Sequence, residues 1–173
     1  QFGENSDQSL RLQGTVARAY VKKDFAKADK LYQSSIAVAD RESGIKNWVR
    51  EDLHESYAGN LAAHKDYAKA DSEYLAALKH AEASDHYINA RVLGARAANL
   101  AEWGKKEQAI DVYRSALRES KKDSNSSDSD LKYSLGALLL ASSKYEEALP
   151  LLEESIDDFT RSGSLGYEFE SDK

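Results

Sequence analysis

Apolar positions in this chain recur at intervals of four, and the pattern repeats four times. The segments FAKADKLYQSSI (Phe25 to Ile36), YAKADSEYLAAL (Tyr67 to Leu78), KEQAIDVYRSAL (Lys106 to Leu117) and YEEALPLLEESI (Tyr145 to Ile156) share one register. Each places an Ala (Ala28, Ala70, Ala109, Ala148) four residues before Tyr32, Tyr74, Tyr113 or Leu152, and eight before Ile36, Leu78, Leu117 or Ile156. Positions i, i+4 and i+8 form one stripe of an α-helix. Three residues ahead of the Ala stands an aromatic, Phe25, Tyr67 or Tyr145, with Lys106 the exception; this residue is placed to cover the turn.

Upstream of each stripe lies a second periodic segment in which a small residue precedes a large one by three: Ala17/Tyr20, Ala58/Leu61, Ala97/Leu100 and Gly136/Leu139. These segments predict the first helix of each pair. The step from small residue to stripe Ala is 12 in the later three units and 11 in the first, which predicts a shortened turn in unit one. A Gly or Ala at that place lets a large side chain of the facing helix lie against the backbone, fixing the crossing. Short polar turns (Lys22-Lys23-Asp24, His64-Lys65-Asp66, Gly104-Lys105, Ser142-Ser143-Lys144) make the paired helices antiparallel.

The expected architecture is a single all-α array over 1–173, an α-solenoid of antiparallel helix pairs, with units at about 5–42, 45–83, 85–122 and 127–161. Ser43-Gly44, Ala83-Ser84-Asp85 and the polar run Lys121 to Asp130 link the pairs, with Ser84 or Asp85 and Ser127 as N-caps. Residues 162–173 are expected to be a partial fifth unit, a capping helix or a tail.

The small, large, Ala, aromatic spacing resembles the tetratricopeptide repeat. The Ala-to-Ala period of 42, 39 and 39 residues is longer than the usual unit and resembles the long-helix variants of kinesin light chain. Pro150, in LPLLEES, fits the second helix of that variant, near a helix start where a missing amide costs little. The resemblance implies a right-handed superhelix whose first helices line a concave groove. It also implies a non-catalytic protein–protein interaction scaffold that binds a partner segment there, the alternative being a peptide-sensing regulatory protein.

Carried onto this chain, the groove positions are Arg11, Gly14, Thr15 and Arg18, then Asp52, Glu55, Ser56, Gly59 and Ala63. Units three and four add Arg91, Gly94, Ala95, Ala98 and Glu102, then Asp130, Tyr133, Ser134, Ala137 and Ala141. The small residues either floor the groove or merely permit tight curvature. The carboxylate clamp of chaperone-binding relatives is not expected, because its places hold Gly14, Arg18, Ser56, Arg91 and Ala95, of which only Arg18 and Arg91 are cationic.

Composition narrows the function class. The chain is 41% hydrophobic and 31% charged, with one Pro, so it should fold as a helical globular protein. A net charge of −6 with scattered Lys and Arg argues against nucleic acid. The longest apolar run, Leu135 to Ala141, is too short to cross a bilayer. Zero cysteines exclude disulfides, thiolate catalysis and Cys-ligated metal sites, and lean the reading toward an exported, periplasmic protein with the cytoplasm as alternative. The opening at Gln1 without a leader is read as a processed form or a fragment.

No phosphate loop or nucleophile elbow is present, so no catalytic residue, cofactor or metal is expected. His54, His64, His80 and His86 do not pair at helical spacing, and the one cluster, His80, Glu82, Asp85 and His86, reads as a solvated loop. Asp123, Asn125, Ser127 and Asp128 lack the Gly and closing Glu of a calcium loop. Tyr20, Tyr32, Tyr57, Tyr67, Tyr74, Tyr113 and Tyr145 fall on packing stripes, and Trp48 and Trp103 are read as packing residues; Tyr133 is off the stripe. Arg96 stands where a large apolar residue is expected, and a guanidinium there needs a carboxylate from a neighbouring helix.

Overall fold

Eight α-helices and no strand occupy the described residues of the computed structural model, which are 6–81, 86–122 and 128–161. In chain order they are α1 Asp7–Tyr20, α2 Phe25–Arg41, α3 Asn47–Ala63, α4 Tyr67–Ala81, α5 His86–Glu102, α6 Lys106–Ser120, α7 Ser129–Ala141 and α8 Tyr145–Arg161. The expected caps Ser84, Asp85 and Ser127, the residues Asp123 and Asn125, and the segment 162–173 lie outside the described residues.

Three of the four turns within pairs are built alike. The amide of Asp66 donates to the Leu61 carbonyl at 3.0 Å, and Lys105 to Leu100 and Lys144 to Leu139 each at 2.9 Å. Such a wrap needs one left-handed residue, supplied by Lys65 (φ 63°), Gly104 (φ 83°) and Ser143 (φ 59°). The first turn differs, and not by being shortened as the spacing predicts. α1 stops three residues after Ala17, whereas α3, α5 and α7 run five past Ala58, Ala97 and Gly136; the connection to α2 is four residues instead of three. The amides of Lys23 and Asp24 both donate to the Tyr20 carbonyl at 2.8 Å, which closes the turn without a left-handed residue. Asp24 then caps α2 by accepting from the Lys27 amide at 3.0 Å.

The small residues sit at the crossings. Ala17, Ala58 and Ala97 are fully buried, and so are the stripe residues Ala28, Ala70 and Ala109. At Gly136 a Cβ would fall 2.8 Å from Leu152 Cδ2 and Cγ of α8, so glycine is required for the α7–α8 approach. The core is made of three apolar clusters along the array; in the central one Tyr32 stacks on Tyr57 with ring centroids 5.4 Å apart, and both join Tyr74, Ala77 and Val92. Burying a side chain of this size contributes roughly 1.5–3 kcal/mol.

The last pair departs from the expected burial. Tyr145 and Ile156 are more than half exposed, as is Leu149, because no described element follows α8 to cover that side. Pro150 lies in the second turn of α8, deeper than the free first-turn amides, so it removes a bond to the Glu146 carbonyl.

Curvature follows from which helices touch. α1 contacts α3, α3 contacts α5 and α5 contacts α7, whereas α2, α4, α6 and α8 make no such contacts among themselves in the described residues. A row of helices in mutual contact, backed by a row held apart, bends toward the first row. The inner face of the array is therefore made of α1, α3, α5 and α7.

Candidate functional site

Two adjoining pockets open on this inner face. One, of about 450 Å³, is lined by Arg18, Ala19, Tyr32, Ser56, Gly59 and Asn60. The next, of about 500 Å³, is lined by Gly59, Ala63, Tyr74, Ala95, Ala98, Asn99 and Glu102. Gly59 is exposed and belongs to both; a Cβ there would meet nothing nearer than the Tyr74 hydroxyl at 4.0 Å, so it floors an open trough.

The trough brings together Arg18, Ser56, Gly59, Ala95, Ala98 and Glu102 of the expected groove residues. Others go elsewhere. Gly14 and Gly94 are buried between inner helices, where a Cβ would sit 3.0 Å from Leu53 Cδ2 and 2.6 Å from Leu131 Cδ2 respectively; they set the curvature and do not face a ligand. Arg11 lies 5.0 Å over the exposed Trp48 ring, a cation–π contact at the end of the array. Tyr133 is exposed on α7 and Ala137 is half-buried there, and neither lines the two pockets.

Three basic side chains line the two pockets, Arg18 and Lys22 in the first and Lys65 in the second. Arg18 donates to Ser56 Oγ at 2.6 Å and lies 3.9 Å from Asp52. Arg91 donates to Glu51 at 3.0 Å and to Glu55. Glu51 itself is buried, and that burial, with the neighbouring Glu55 charge, pushes its carboxyl up to about 7 against the opposing pull of Arg91. The Tyr32 phenol is also pushed up by burial, while the Arg18 charge acts the other way.

Two residues outside the expected set give the trough its chemistry. Asn60 on α3 and Asn99 on α5 are each 3% exposed. Neither side-chain atom of Asn60 has a hydrogen-bond partner, nor does Asn99 Oδ1, although Asn99 Nδ2 donates to the Tyr67 carbonyl at 3.0 Å. Buried amides without partners are rare and costly. The signal was present in the sequence: Asn60 and Asn99 stand 39 residues apart, two places after the small residue of the first helix in units two and three, where units one and four have Ala19 and Leu138.

Arg96 finds the carboxylate it needs, Nε donating to Asp71 Oδ1 at 2.7 Å across the α4–α5 junction, with both side chains about four-fifths covered. Of the expected loop cluster, Glu82 and Asp85 lie outside the described residues; His80 instead meets His54 of α3, their rings 5.5 Å apart. That meeting is tertiary and has no sequence spacing to announce it.

No protein-family model and no curated protein matches the sequence. Solved structures do resemble the fold. Aspartyl phosphate phosphatase F from Bacillus subtilis superposes with a TM-score of 0.81 at 16% identity, covering 92% of this chain and 42% of that one, so the chain spans less than half its length. A kinesin light chain with nearly identical tetratricopeptide-like repeats from Podosopora anserina gives 0.75 at 14% identity, covering 94% and 80%. MamA gives 0.59 at 19% identity, covering 86% and 77%. Together with the eight paired helices and the wrapped turns, these likenesses establish that the chain has the tetratricopeptide-like helical-repeat fold.

Proposed function

We propose that the chain is a non-catalytic interaction scaffold that binds an extended segment of a protein partner in the trough between α1, α3 and α5. The observation that carries this reading is the pair of asparagines at the adjoining pockets, Asn60 with neither amide atom partnered and Asn99 with its Oδ1 unpartnered. The Asn60 carboxamide offers a donor and an acceptor side by side and Asn99 an acceptor, which complement the amides and carbonyls of an extended backbone. The small floor at Gly59, Ala95 and Ala98 supports close approach of such a backbone. No described helix is long and apolar enough to cross a membrane.

The test is selection from a random peptide library displayed on the full chain, followed by affinity measurement on Asn60→Ala and Asn99→Ala. Expected is an enriched motif whose affinity falls at least tenfold in each variant, while thermal stability holds or rises in Asn60→Ala, which removes an amide with no partner at either atom. Enriched peptides that bind both variants as tightly as the parent would refute the trough as the site.

A further inference from the structure

We infer that Asp40, His54 and His80 form a site for a divalent transition-metal ion of the zinc type, which joins the first helix pair to the second. Asp40 lies in the last turn of α2, His54 in the middle of α3 and His80 in the last turn of α4, so three helices contribute one side chain each. One ligand atom from each of the three lies within 4.8 Å of the other two.

The ordering of His54 is what makes the cluster more than a coincidence of charges. Its ring is buried, and Nδ1 stands 2.7 Å from Glu73 Oε2, a group that accepts hydrogen bonds. Nδ1 is thereby engaged by Glu73, and Nε2 is the nitrogen that faces Asp40 Oδ1 at 3.9 Å. A carboxylate behind one imidazole nitrogen with the other nitrogen bare is the arrangement that orients metal-ligating histidines and raises their basicity. Glu73 is thus a positioning residue and not a ligand.

His80 supplies the second imidazole, its ring inclined 15° to that of His54. Arg50 does not occupy the site: its guanidinium donates to the carbonyls of Ala39 at 3.0 Å, Glu42 at 2.8 Å and Ile45. Ligand atoms about 2.0–2.2 Å from a zinc ion stand about 3.3 Å apart. Closing the present spacing needs a shift of about 1 Å, available because the Asp40 side chain is half exposed and His80 is only partly buried. Two imidazoles and one carboxylate suit zinc and its neighbours over calcium or magnesium, with the remaining position open to water.

The experiment titrates the full chain with Co2+ and displaces it with Zn2+, following visible absorption and thermal unfolding. Expected is one saturable site per chain, displaced stoichiometrically by Zn2+, with the unfolding temperature raised. Asp40→Asn and His80→Gln, at exposed and half-buried positions that should keep the fold, each weaken Zn2+ at least tenfold; Glu73→Gln weakens it ten- to a hundredfold. His64→Gln, remote on Phe25, changes nothing. Absence of saturable binding at millimolar metal, affinity retained within threefold in Asp40→Asn or His80→Gln, or an equal loss in His64→Gln would each overturn the site.

Discussion

Arg96 Nε and Asp71 Oδ1, 25 residues apart in sequence, meet at 2.7 Å where α4 packs on α5. The pair stands at the junction between the second and third helix pairs, a place otherwise filled by Ala70, Tyr74 and Ala97. Both side chains are shielded enough that removing one partner strands a charge. Asp71→Ala is therefore expected to cost about 1–3 kcal/mol in urea unfolding. Arg96→Leu, which replaces the ion with the apolar type the stripe elsewhere uses, is expected to cost less than Asp71→Ala. Equal or greater loss in Arg96→Leu would mean that the pair contributes net stability beyond satisfying its own charges.

Gly136 faces Leu152 so closely that no side chain fits between them. Gly136→Ala gains helix propensity of roughly 1 kcal/mol but must displace the Leu152 side chain, whose Cγ and Cδ2 would lie 2.8 Å from the new Cβ. Overpacking of this kind costs about 1–3 kcal/mol, so the net change is expected to be destabilising. The double variant Gly136→Ala/Leu152→Ala should recover the difference, and a thermal melt of the three chains decides it.

Much of this architecture was legible as spacing. Ala28, Ala70, Ala109 and Ala148 could be placed at helix crossings because a periodic small residue in an apolar stripe has few other uses. Arg96 announced a partner because it interrupts such a stripe. The groove was harder: Gly14, Gly59 and Gly94 look alike in sequence, and only the positions of Leu53, Leu131 and Tyr74 separate an open floor from a helix contact. Asn60 and Asn99 resemble any polar residue of an amphipathic helix until burial shows the Asn60 amide and Asn99 Oδ1 without partners. His54, Asp40 and His80 come from three helices, and no periodicity within one helix encodes their meeting.

Pro150 interrupts the hydrogen bonding of α8 at an exposed position. Pro150→Ala restores one backbone bond and relieves the clash with the preceding turn. Helix-interior Pro costs about 3 kcal/mol relative to Ala, less near an end. The variant is expected to be more stable by about 1–2 kcal/mol, seen as a higher urea midpoint with unchanged slope. An unchanged midpoint would indicate that the first turns of α8 fray and bear little of the stability.

Glu51 makes the stability of the array depend on pH in the direction opposite to most paired carboxylates. Its carboxyl is 3% exposed and is pushed up to about 7 from 4.5 by burial and by Glu55, despite Arg91. A raised carboxyl pKa means that the folded chain holds a proton the unfolded chain would release. The contribution is complete below pH 4.5, where both states are protonated, and is lost as pH rises through about 7. The loss is on the order of 3 kcal/mol. Glu51→Gln keeps the shape and the hydrogen bond to Arg91 while removing the charge. Urea midpoints of the two chains should coincide at pH 5 and diverge at pH 8, the variant becoming the more stable. If the variant is instead the less stable at pH 8, the ionised Glu51–Arg91 pair outweighs its desolvation, and the buried carboxylate is a net clasp between α3 and α5.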